Sequence, residues 1–267
     1  MNLIDYDKNE FQIDDGRLIK YRGNSSVVNI PDGIISIAAM AFSECEMIKE
    51  VSIPQTVSLI GSLAFANCVN LKIIDIANDY VEIGEDAFFN TAYVNEYTDD
   101  SVVYIGLTAY KYKGNCPKKI MLRDGSLGLA SFAFAYCKNL EEIHIPGTVK
   151  TIPSGAFYKC EKLKTVKLSE GAEKINDMAF WNCNSLSDLI LPISLKSIGE
   201  SFKNHPNKLK ICIQENVSEI HSMAFNYCEL EMHCIPNTYA YRYAEKNHFP
   251  LIPYLPNRFK EKAEQSE

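Results

Sequence analysis

The pair Ala-Phe returns at a fixed interval along this chain, and that periodicity constrains the fold more than any other feature of the sequence. It stands at Ala41-Phe42, Ala64-Phe65, Ala87-Phe88, Ala133-Phe134, Ala156-Phe157, Ala179-Phe180 and Ala224-Phe225, with Ser201-Phe202 in the same series. The interval is 23 residues, apart from a 46-residue gap after Ala87 and a single-residue slip before Ser201. Cys45, Cys68, Cys137, Cys160, Cys183 and Cys228 each follow their Ala by four residues. One coil of this length cannot bury its own apolar side, so the coils must stack. Stacking brings equivalent positions into register as a Phe spine, an Ile/Leu stripe and a column of thiols.

Within each unit, Leu71 to Ile76 and Leu140 to Ile145 end in residues that alternate with period two, the pattern of a short strand with one apolar face. From Ile60-Gly61 through Ala64-Phe65 to Cys68, apolar residues recur about one helical turn apart. That spacing predicts a short helix or 3₁₀ turn on the opposite side. The expected fold is an α/β leucine-rich-repeat solenoid, a right-handed superhelix of 23-residue coils with parallel strands on its concave face.

The ends differ from the coils. Asp15-Gly16 between Phe11 to Ile13 and Leu18 to Tyr21 is a two-residue hairpin signal, expected to cap the open sheet edge over residues 1–29. Gly16 to Asn24 is echoed near Val102 to Asn115, which predicts a second hairpin over 99–121 replacing one coil. It would divide the array into sub-arrays at 30–98 and 122–238. Tyr239 to Asn247 has helical spacing and, with Phe249 to Tyr254, forms an expected C-terminal cap over 239–255. The charged segment 256–267 reads as a mobile tail.

The frame Ile-Pro-x-x-Val-x-x-Ile-Gly-x-x-Ala-Phe-x-x-Cys-x-x-Leu-x-x-Ile, read from Ile53 to Ile74 and again from Ile145 to Val166, resembles the BspA-like leucine-rich-repeat proteins. The resemblance covers nearly the whole chain, from Phe11 to Tyr254. It implies a binding role, since the family is associated with bacterial surface attachment and host-protein binding.

Charge narrows the partner. A formal net charge of −7 and a pI near 5.4 disfavour nucleic acid, whose recognition needs clustered Lys and Arg. A protein is the expected partner, with carbohydrate as a second class and no membrane insertion, because no apolar run is long enough to span a bilayer. The N-terminus lacks the basic and apolar regions of a secretory signal. With Met1 as the native start the location is cytoplasmic, and otherwise secreted or cell-surface. Nine thiols without a signal peptide suit a reducing compartment. Metal ligation by the thiol column is not expected, because no Cys-x-x-Cys pair occurs. No cofactor or catalytic residue is assigned either: phosphate-loop and hydrolase motifs do not occur.

Packing does not dictate the outward strand positions, and they change from coil to coil while the inward ones repeat. These are the contact candidates: Glu50 and Ser52, Ile73 and Asp75, Glu142 and His144, Thr165 and Lys167, Asp188 and Ile190, Lys210 and Cys212, Met232 and Cys234. Cys212 and Cys234 are expected to project outward on adjacent rungs, within reach of one another. Of the five histidines, His144 and His233 fall near the sheet, and His205, His221 and His248 in turns or caps. The expected function is a non-enzymatic protein-binding scaffold, with a surface adhesin or carbohydrate-binding module as the alternative.

Overall fold

A computed structural model describes residues 10–253. The expected mobile tail at 256–267 lies outside the described residues. Two compact units divide the described chain, one of residues 10–116 with 123–134 and one of residues 117–122 with 135–253. Each is a β-solenoid whose coils are tied to their neighbours along three ladders.

In the first unit the long strands Val27–Asn29, Glu50–Ile53 and Ile73–Ile76 pair in parallel, one per coil. A second ladder runs through Arg17–Tyr21, Ser36–Ile37, Leu59–Ile60 and Glu82–Ile83. Phe11–Asp14 closes this ladder antiparallel to Arg17–Tyr21. Between them Asp15 and Gly16 have φ of 43° and 71°, both left-handed as a type I′ turn requires. Ser101–Ile105 and Thr108–Lys113 form another antiparallel hairpin, whose second strand pairs in parallel with Gly128–Leu129.

The second unit repeats the scheme. Lys119–Met121, Glu142–Ile145 and Thr165–Leu168 form one long-strand sheet, and Asp188–Ile190, His205–Ile213, Cys228–Cys234 and Leu251–Pro253 form another. Its short ladder runs Thr151–Ile152, Lys174–Ile175, Ser197–Ile198 and Glu219–Ile220. The helix Tyr239–Lys246, capped by the Thr238 hydroxyl accepting from Tyr241 N–H, follows the last coil.

The third ladder lies where the sequence predicts short helices. These segments are runs of turns, six of them with a left-handed residue just before the Ala and another three after it, and the last two, at Ser201 and Ala224, with the second alone. Leu63 and Asn67, at φ 57° and 61°, hold these places in one coil, and Met178 and Asn182, at 58° and 57°, in another. A left-handed residue cannot continue a right-handed helix. The reversals instead turn N–H groups toward the next coil: Leu63 donates to the carbonyl of Glu85, Phe65 to Ala87 and Asn67 to Phe89, at 2.6–3.0 Å. The apolar spacing that mimicked a helix comes from this alternation.

The rings of the spine stack nearly parallel. Phe42–Phe65 and Phe65–Phe88 centroids are 4.6 and 5.0 Å apart, and Phe157, Phe180, Phe202 and Phe225 follow one another at 5.2–5.3 Å. Edge-on rings end the stacks, Tyr110 against Phe88 and Tyr243 and Phe249 against Phe225. Gly61 and Gly84 let adjacent coils approach, since a Cβ on either would meet the preceding coil's backbone at 2.4–2.5 Å.

Candidate functional site

The long strands leave one face of each sheet to solvent, and their parallel register sets the outward residues in columns. In the first unit Val27, Glu50 and Ile73 form one column and Asn29, Ser52 and Asp75 the next. Val27 and Ile73 are large exposed apolar residues flanking the carboxylate of Glu50. Val27 and Asn29 join the face because the first strand, like the rest, alternates, although it lies in the segment the sequence assigns to the cap.

In the second unit the columns run Lys119, Glu142, Thr165 and Met121, His144, Lys167. In the neighbouring sheet they run Asp188, Lys210, Glu231 and Ile190, Cys212, His233. This register corrects the last rung. Met232 and Cys234 point inward and are fully buried, and Glu231 and His233 take the outward places. An outward Met232 and Cys234 set that strand one residue out of phase, and a one-residue slip exchanges its two faces.

Cys212 does fall in an outward column but is only 3% exposed, with the Gln214 amide Nε2 3.7 Å from its sulfur. It stands opposite His233, not opposite Cys234. All nine cysteines are free thiols. Burial pushes Cys212 up to about 11 and Cys234 up to about 12, so neither is a thiolate at neutral pH.

Electrostatics organise the second unit's face around two glutamates. Glu142 accepts from His144 Nε2, two residues along the same strand, and from Lys119 Nζ at 3.2 Å, with Lys167 Nζ at 3.8 Å. Glu231 accepts from His233 Nε2 at 3.0 Å and from Lys208. The same Glu-x-His arrangement with a lysine beside it therefore occurs twice. The hydrogen bond from His144, then Lys119, lowers the Glu142 carboxyl below its usual range, and Lys208, then His233, lowers Glu231. Beside the first network Glu141 takes Lys118 and Lys164 at 3.1 and 3.0 Å. Charged groups thus meet solvent already matched and held on a hydrogen-bonded sheet.

The thiol column is spent on structure. Cys68 and Cys183 each donate to the carbonyl of the Phe one coil earlier, Phe42 and Phe157, at 3.1 Å, and Cys228 donates to Phe202. His205, which the sequence assigns to a turn, is a buried member of this column.

Among the described residues no helix is long and apolar enough to cross a membrane. The BspA type leucine rich repeat region matches residues 19–121 and 128–248, in six copies. No curated protein matches the chain. Among solved structures, the Treponema pallidum leucine rich repeat protein is 23% identical over 68% of this chain and 90% of its own, with a TM-score of 0.38. A leucine-rich repeat protein from Bacteroides ovatus is 26% identical over 86% and 68%, with a TM-score of 0.39. The pneumococcal vaccine antigen PcpA is 16% identical over 86% and 79%, with a TM-score of 0.48.

Proposed function

Because the chain belongs to the family of BspA type leucine rich repeat proteins, we propose that it is a non-enzymatic scaffold that binds a protein partner along its long-strand face. The observation that carries this reading is the contrast between the two sides of each strand. Inward residues such as Val51, Ile143 and Leu189 are interchangeable aliphatics in one buried column per sheet. The outward residues change from rung to rung and hold acids, bases, hydroxyls and exposed isoleucines in fixed register. Rigid side chains of mixed sign, held on a sheet that loses little entropy on binding, suit a partner surface of complementary pattern.

Charge reversal at Glu142, Lys167 and Lys210 tests it. Affinity purification from the native cell identifies the partner, and the triple variant should lose that partner while keeping its melting temperature. Unchanged capture overturns the assignment of the face. Fractionation of the same cells reports where the encounter takes place, at the surface or within.

A further inference from the structure

On the turn side of the second unit, far along each coil from the long strands, one aromatic ring per coil comes to the surface. Tyr136, Tyr158 and Trp181 follow one another with centroids 5.4 and 6.4 Å apart. Lysines interleave them: Lys159 Nζ lies 5.5 and 5.2 Å from the Tyr136 and Tyr158 ring centres, and Lys203 Nζ 4.5 Å from Trp181. The row is fixed by backbone as well as by packing. Tyr136 N–H donates to the Tyr158 carbonyl and Lys159 N–H to that of Trp181, both at 2.8 Å, while the Trp181 indole N–H donates to Glu200 O at 2.7 Å.

Two of these residues sit where the backbone disfavours them. Tyr136 and Lys159 have φ of 62° and 58°, in the left-handed slot that Asn67, Asn90, Asn182 and Asn204 fill in four other coils and Glu44 and Tyr227 in two more. Asn tolerates that conformation and bulky side chains do not. Tyr136 is 56% exposed.

We propose that this row binds an acidic polysaccharide. A flat ring covers the apolar face of a pyranose, and an ammonium beside it takes a sugar carboxylate. Three rings on consecutive coils, set at 84° and 47° to one another with two ammoniums between them, suit a polymer that repeats, which an acidic peptide does not. The charge around the row fits as well. Lys159 and Lys203 stand at the rings, with Glu200 paired to Lys203 and the Asp177 carboxylate accepting from the Glu200 N–H.

The chain's only tryptophan stands in the row, so its fluorescence reports on this site alone. Titrating the full chain with polygalacturonate should shift Trp181 emission saturably. The double variant Tyr136→Asn, Lys159→Asn installs the residue other coils use, so it keeps the fold, and its binding should weaken by about tenfold or more. The melting temperature of the variant confirms that it folds. Neutral dextran and poly-glutamate should produce no comparable shift. An equal response to poly-glutamate would reduce the row to a general polyanion surface, and an equal response to dextran would remove the role of the lysines. Either result, no shift at all, or full binding by the double variant overturns the proposal.

Discussion

His205 stands where other coils carry a thiol: its Nε2 donates to the carbonyl oxygen of Phe180 at 3.0 Å, as Cys183 does to Phe157 at 3.1 Å. That donation fixes the tautomer, leaving Nδ1 as a bare acceptor, buried and without a hydrogen-bond partner among the described residues. Burial lowers the imidazole below its usual 6.5, so the folded protein holds it neutral. The unfolded chain takes up a proton below about pH 6.5. Stability from this site is therefore whole above that pH and falls as pH drops toward the folded value. The variant His205→Cys keeps a donor in the column and removes the titration. Denaturant unfolding at several pH values should show the variant gaining on the parent as pH falls from about 7 to about 5. A constant difference across that range would refute the account.

Phe65 lies fully buried between Phe42 and Phe88 and supports both neighbouring coils. Phe65→Ala should cost about 3–5 kcal/mol, and Phe65→Leu clearly less. Since a coil contacts only its neighbours, the damage should appear in urea as a broadened or two-step transition.

Tyr227 holds a left-handed φ of 58° while 75% exposed. Little packing is lost on removing it, and Asn accepts the backbone. Tyr227→Asn should raise stability by about 0.5–1 kcal/mol, whereas Tyr227→Ala, which keeps the strain, should not. Thermal melts of the pair separate conformational relief from loss of an exposed ring.

The Lys119–Glu142 pair is solvent-facing, with side chains 48% and 29% exposed. A double-mutant cycle of Lys119→Gln and Glu142→Gln should give a coupling under about 1 kcal/mol, shrinking with added salt. A larger, salt-insensitive coupling would mean that these charges hold the fold together.

The coil period was legible because the Ala and Phe of each turn are buried and the Phe ring stacks on that of the next coil, which holds both residue types fixed. The hairpin at Asp15-Gly16 was legible because its backbone demands left-handed residues and the sequence supplies typical ones. The turn ladder was not. Its left-handed slots hold Met40, Leu63, Glu44 and Lys159 as well as Asn and one Gly, so composition gives no signal. Nor was the phase of the final long strand. Cys212 and His233 are paired at a separation of 21 residues, and shortened coils place alternating apolar residues on either face equally well. Lys119, Glu231 and His233 entered the face only through that register.

The thiol column has one more consequence. Cys68, Cys183 and Cys228 give their protons to main-chain carbonyls, and burial pushes all three thiols up, Cys68 to about 12 and Cys228 to about 11. Oxidation and disulfide exchange proceed through the thiolate. Such groups survive in aerated buffer as they would inside a cell. Damage by peroxide should begin at the half-buried Cys116, outside the column, and at Cys45 and Cys228 at its two ends, and spare the buried Cys68, Cys160 and Cys183. The buried thiols of the column therefore do not tie this fold to a reducing compartment, because the solenoid keeps them as hydrogen-bond donors and withholds them as nucleophiles.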